Sequence, residues 1–106
     1  MYAAIHRYDL GEGSMDAIIR SVSANFADSA PAKAGAMLYT AIDTGDGTAT
    51  TIVLFPDQAS AERGQLASDE VRTVLNKEFG VTESERIEGP ILLHRAFPAV
   101  VENVDL

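Results

Sequence analysis

Alternation and helical spacing divide the chain into six segments. Tyr2 to Asp9 is rich in β-formers and is closed by Leu10-Gly11-Glu12-Gly13, which predicts a first strand and a turn. Ser14 follows as an N-cap, its hydroxyl placed to accept an orphan N–H of the first helical turn. Met15, Ile18, Ile19, Val22 and Phe26 then form one apolar stripe of a helix, with Asp16, Arg20, Ser23 and Asn25 off it. Pro31 is expected to stop that helix. Ala36 to Asp43 predicts a second strand and the β-branched stretch Thr48 to Phe55 a third. Between them lies Thr44-Gly45-Asp46-Gly47, whose Asp-Gly pair tolerates the positive φ angles of a hairpin turn.

A simple hairpin puts Met37, Tyr39 and Ala41 on one face with Ile52 and Leu54, and Leu38, Thr40 and Ile42 with Val53 and Phe55. Gln58 to Phe79 is helical, expected in two pieces with Ser68-Asp69 as a fresh cap and Gly80 as the left-handed terminator. Glu83 to Pro90 reads as a polar connection, and Ile91 to Phe97 as the last strand, ended by Pro98.

This order, β-α-β-β-α-β, predicts an α+β fold of the ferredoxin-like kind. Short right-handed crossovers give an antiparallel four-stranded sheet with both helices on one face and spatial order fourth, first, third, second. Residues 1–98 form the expected domain, and 99–106 an acidic C-terminal tail that can swap onto a partner chain. Two helices cover one sheet face only, yet both faces read as mostly apolar. Tyr2, Ala4, His6 and Tyr8 alternate with Ala3, Ile5 and Arg7 in the first strand. A second copy packed sheet to sheet is the simplest cover, which predicts a homodimer.

From Tyr2 to Phe97 the chain resembles the dimeric α+β barrel proteins, and among them the antibiotic biosynthesis monooxygenase superfamily. The resemblance is carried by the opening strand Tyr2 to Tyr8, by Gly35 entering the second strand, and by the hairpin Ala41 to Gly47. It is also carried by Ile52-Val53-Leu54-Phe55-Pro56-Asp57-Gln58-Ala59-Ser60-Ala61-Glu62, where an aromatic closes a strand before a capped helix. It implies a homodimeric α/β barrel with a pocket between sheet and helices in each subunit. If the chain is an enzyme, the resemblance implies a cofactor-independent monooxygenase acting on an aromatic or polyketide-type small molecule. The alternative is a non-catalytic small-ligand-binding or stress-associated module of the same fold. The chain departs from haem-degrading relatives: it has no tryptophan and no histidine in the second helix, so neither haem nor any other cofactor is expected.

The candidate chemistry is small. His6 and His94 are the only histidines, and the predicted strands place them as neighbours. With Tyr8 they are the candidate catalytic groups, because imidazole and phenol can move protons of an acidic phenol or enol. Tyr39, Phe55, Phe26 and Tyr2 are the candidates for lining the substrate. The plainer reading is that both histidines are structural, with hydrogen-bonded rings. Two histidines without a nearby third ligand make only a weak metal site, which Asp43 or Asp9 would have to complete, so no metal is expected. Arg7 and Arg95 fall one residue later, on the opposite face, and are expected to pair with acids across the dimer.

Asp43-Thr44-Gly45 matches the triplet of retroviral-type aspartic proteases, but such proteases are almost wholly β and this chain carries two long helical stripes. The acidic run Glu83, Glu85 and Glu88 reads as solvated surface. Sixteen acidic against eight basic side chains give a net charge of −8, which repels phosphate backbones and anionic membranes. Nucleic-acid and membrane partners are therefore not expected, and the N-terminus carries no signal-peptide pattern, so a cytoplasmic protein is. The chain has no cysteine, which removes disulfides and thiolate chemistry.

Overall fold

β-Branched and aromatic residues in alternation build the sheet. The computed structural model describes residues 1–105. It runs β1 (Tyr2–Asp9), α1 (Met15–Asn25), α2 (Ala30–Lys33), β2 (Leu38–Gly45), β3 (Thr48–Phe55), α3 (Gln58–Phe79) and β4 (Thr82–Pro90), then a single 3-10 turn, Pro98–Val101. The strands form one antiparallel sheet in the order β2-β3-β1-β4. The helices pack on one face of it, giving the ferredoxin-like α+β fold and the strand order expected from the sequence. Leu106, the last residue of the acidic tail, lies outside the described residues.

The caps act where the sequence places them. Ser14 Oγ accepts the Ala17 N–H at 3.2 Å, and Asp57 Oδ1 accepts the Ser60 N–H at 2.8 Å. Gly80 ends α3 at φ 79°. Several expectations change. Pro31 does not stop α1, which ends at Asn25; it sits instead in the first turn of α2, where its missing N–H is harmless. α3 is continuous through Ser68-Asp69, because Ser68 turns inward and does not cap. β2 starts two residues later than expected and ends two later.

The facing of β2 is also the reverse of the simple hairpin. Tyr39 lies opposite Val53 and Ala41 opposite Thr51, while Leu38, Thr40 and Ile42 lie opposite Leu54, Ile52 and Thr50. The turn is a two-residue Asp46-Gly47 loop with φ of 54° and 73°, but Thr44 is extra in the ladder between Asp43 and Gly45. One bulged residue flips every side chain beyond it. Asp43 is occupied there, accepting the Gly45 N–H at 2.9 Å, so the protease-like triplet is a turn device.

The largest correction concerns the last strand. It is Thr82–Pro90, the segment read as a polar connection, while Ile91 to Phe97 lies outside the sheet. β4 pairs with β1 alone, and an edge strand tolerates charges that a central strand does not. His94 and Arg95 are therefore exposed and off the sheet, and His94 is not a neighbour strand residue of His6.

Burial splits into two clusters between sheet and helices. Leu10, Ile18, Val22, Ala49, Leu75 and Val81 form one; Ala4, Ala34, Val53, Phe55 and Ala61 form the other. Phe55 sets the approach of α3. A Cβ on Gly64 would fall 2.4 Å from its Cζ, so only glycine lets the helix lie over the ring. No helix among the described residues is long and apolar enough to cross a membrane.

Candidate functional site

Between the two clusters a cavity of about 110 Å³ opens under the helices. Its floor is the inward set of sheet residues, Ala4, His6 and Tyr8 of β1, Thr51, Val53 and Phe55 of β3, and Tyr39 and Ala41 of β2. Its roof comes from Ile18, Ile19 and Val22 of α1, Phe26 beyond it, and Ala61, Gly64, Gln65, Ser68 and Arg72 of α3. The α3 positions recur at helical spacing, so one stripe of that helix faces the cavity. The wall is apolar except at one end, where the polar side chains collect.

His6 is the centre of that end and is only 4% exposed. Its Nδ1 lies 2.5 Å from Oε1 of Glu83. The contact depends on a bulge in β4. Arg7 faces Glu85 across the strands and Tyr8 faces Glu83, so Ser84 is extra. In an unbroken ladder Glu83 would sit opposite Asp9 and point to the other face; the added residue swings it to the helix side. Glu83 Oε2 is then held by Arg86 Nη2 and by Arg72 Nη1, each at 3.1 Å, and Arg72 Nη2 also reaches Asp69 at 3.0 Å.

Burial works against ionisation of Glu83, but the hydrogen bonds from His6 and then Arg86 outweigh it and hold the carboxyl below the usual range. An ionised carboxylate can only accept, so Nδ1 carries the proton that the bond requires. Among the described residues no buried side-chain polar atom lacks a hydrogen-bond partner, no hydrogen bond engages Nε2, and His6 lines the cavity. The result is an imidazole of the cavity lining, oriented by a carboxylate on Nδ1 and with its second nitrogen unengaged.

The phenols complete the polar end. The Tyr8 ring stacks on His6 with centroids 6.1 Å apart and planes 6° apart, and its hydroxyl is 3.5 Å from Ser68 Oγ. Burial pushes the Tyr8 phenol above its ordinary value, against the Ser68 hydrogen bond and with help from the Glu83 charge. Tyr39 is pushed up to about 12, by burial and then by Tyr8. Both are donors at neutral pH, not bases.

Of the candidates from the sequence, His6, Tyr8, Tyr39, Phe55 and Phe26 line this cavity. Tyr2 shares the His6 face but packs on the Ala4–Phe55 cluster. His94 belongs to the exposed segment after β4, with Arg95 Nη1 donating to its carbonyl at 2.9 Å. Arg7 takes the opposite face, across from Glu85. Sequence reasoning missed Glu83, Arg72, Ser68 and Gln65. One signal pointed to Glu83: a histidine buried mid-strand needs an acceptor on a neighbouring strand, and the acidic run is the segment able to supply it. Among the described residues no cluster of three or more histidine and acidic side chains is arranged to hold a metal ion.

No family model matches the chain, and no curated protein matches its sequence. Its structure is similar to that of a dimeric ferredoxin-like protein from an uncultured marine organism. The TM-score is 0.72 at 9% identity, over 91% of this chain and 98% of that one. At that identity the likeness is one of fold.

Proposed function

We propose that this chain is a homodimeric small-molecule protein whose His6, oriented by Glu83, acts as a general base on an apolar, ring-bearing substrate, the opening step of a cofactor-independent monooxygenation. The observation that carries the reading is the 2.5 Å contact of His6 Nδ1 with Glu83, in a ring that lines an apolar cavity and whose Nε2 is unengaged. A base in dry, apolar surroundings can take a proton from an acidic phenol, enol or activated methylene, leaving its conjugate ion paired with Glu83. Tyr39 and Tyr8, held protonated, donate to the substrate oxygen as it gains charge.

The deprotonated substrate supplies the electrons itself. Dioxygen adds to the activated methylene carbon, one oxygen atom stays as a carbonyl, and the other leaves as water with two hydrogens of the substrate. No metal or organic cofactor enters that balance. A void of about 110 Å³ is somewhat smaller than the roughly 150 Å³ apolar cavity that admits one benzene ring, so a single ring enters with modest widening. A fused-ring, polyketide-type substrate requires α1 to move outward; only Ile18 and Val22 of that helix are buried.

The homodimer is supported by the dimeric state of the similar structure and by the open sheet face. There Ile5, Ile52, Leu54, Leu38, Ile42 and Ile87 share the face away from the helices, with Ile42 38% and Ile87 56% exposed. The nearly apolar wall of the cavity also favours a second reading, a non-catalytic binding module of the same fold.

Oxygen uptake with hydroxylated anthrones separates the two. His6→Gln lowers the rate about 10²–10⁴-fold if the ring is the base, and Glu83→Gln lowers it less, since the base remains but loses its orientation. Unchanged rates in both variants remove the dyad from the chemistry. Binding without uptake, measured by displacement of an apolar fluorescent dye, leaves the binding module.

A further inference from the structure

Two unsatisfied surfaces stand at opposite edges of the sheet. β2 is an edge strand, paired with β3 on one side only. From Leu38 to Ile42 it carries no charge and no proline, and Thr40, Ala41 and Ile42 are exposed. Open edges are usually blunted by lysine, proline or a covering element, and a bare one is a template for another strand. At the other edge the chain leaves β4 and continues through Ile91-Leu92-Leu93-His94-Arg95-Ala96-Phe97. These residues read as a strand from composition, yet among the described residues they belong to no strand ladder. The Ile91 N–H donates to the Met1 carbonyl at 2.9 Å, and among the described residues the backbone from Leu92 to Ala96 makes no hydrogen bond to other backbone, its one partner being the Arg95 side chain on the His94 carbonyl. Leu92 is 95% exposed, Leu93 74% and Phe97 72%, so the segment holds a concentration of apolar surface that an isolated soluble chain rarely displays.

We propose that Ile91–Phe97 of each copy adds as a fifth strand to the β2 edge of a second copy, reciprocally. The proposal rests on the homodimer reading above. Pairing within one chain is disfavoured by the strand order: β3 and β1 separate β2 from β4, three spacings or roughly 14 Å of sheet. Exchange between two copies across a two-fold axis meets no such obstacle, because each copy offers one arm and one bare edge. Charge agrees. Copies of net charge −8 repel, but the arm has no acidic residue and carries Arg95, while the receiving edge is neutral up to Asp43 and Asp46 at its hairpin end.

The chain has no cysteine, so introduced ones report without background. Ala41→Cys chains are refolded together with Leu92→Cys, Leu93→Cys, His94→Cys or Arg95→Cys chains, oxidised mildly, and the linked peptides are identified by mass spectrometry. Alongside, the unaltered chain is sedimented. The expected result is a dimer in sedimentation and a mixed disulfide for at least one adjacent arm position. When Ala41→Cys and that arm substitution share one chain, the expected product is a covalent dimer. A dimer in which no arm position links to Ala41→Cys overturns the exchange and leaves the homodimer standing. An internal disulfide in the doubly substituted chain overturns it too. A monomer in sedimentation overturns both.

Discussion

The two faces of the sheet follow the same alternation and end in opposite states. Toward the helices the strands bury polar groups, His6 at 4% and Thr51 at 8% exposure, beside Ala4, Val53 and Phe55. Away from the helices they leave Ile42 at 38% and Ile87 at 56% exposed. The covered face can hold polar groups because α3 and the β4 bulge bring partners to them: Glu83 to His6, Ser68 to Tyr8. The open face leaves aliphatic groups such as Ile42 and Ile87 to solvent. Polarity alone thus misreports which face is inside; what decides it is whether a neighbouring element arrives.

Three measurements break or sharpen this contrast. The largest effect belongs to the covered face. Phe55→Ala removes a ring that is 3% exposed and against which Gly64 packs, and is expected to destabilise the fold by about 3–5 kcal/mol in urea titration. A loss no greater than that of a surface substitution would mean the cavity collapses freely and the covered face is not a packed core.

Next is the alkaline limb. Tyr39 keeps its proton in the folded chain up to about 12, while an unfolded tyrosine releases it near 10. Its contribution is therefore complete below pH 10 and lost as the pH rises toward 12, on the order of 2 kcal/mol. Tyr39→Phe should flatten that part of the stability curve between pH 9.5 and 11.5, and an unaltered slope would place the phenol in water.

The smallest effect on the fold is on the open face. Ile87→Lys is expected to change unfolding stability by no more than about 0.5 kcal/mol at low protein concentration, while shifting sedimentation from dimer to monomer. A large intrinsic loss would show that Ile87 is packed inside its own chain, and the two faces would cease to differ.

How much of this was legible depends on how local each cause is. β1, β3, α3 as a helix, and the caps at Ser14, Asp57 and Gly80 follow from residues adjacent in the chain. So does the placing of Tyr2, Ala4, His6 and Tyr8 on one face. His6, Tyr8, Tyr39, Phe55 and Phe26 were singled out for their chemistry or bulk, not for their facing: the simple hairpin put Tyr39 and Phe55 on opposite faces, and only the β2 bulge brings both to the cavity. The last strand was not legible, because Ile91 to Phe97 has the better β composition while Thr82–Pro90 carries the charges an edge strand permits. The facing of β2 was lost to a single residue, Thr44, and the role of Glu83 to another, Ser84. Bulges leave almost no local signature, yet each reverses every side chain beyond it.

The sequence by itself determined the order of elements, the ferredoxin-like α+β fold, the strand order and the sharing of one sheet face by Tyr2, Ala4, His6 and Tyr8. These rest on periodicity, capping and short right-handed connections, which act within a few residues or a single crossover. The tertiary structure decided which segment closes the sheet, which carboxylate stands behind His6, and that His94 stands apart from it. Those outcomes turn on register between strands some 75 residues apart, where one inserted residue redirects a charge from one face of a sheet to the other.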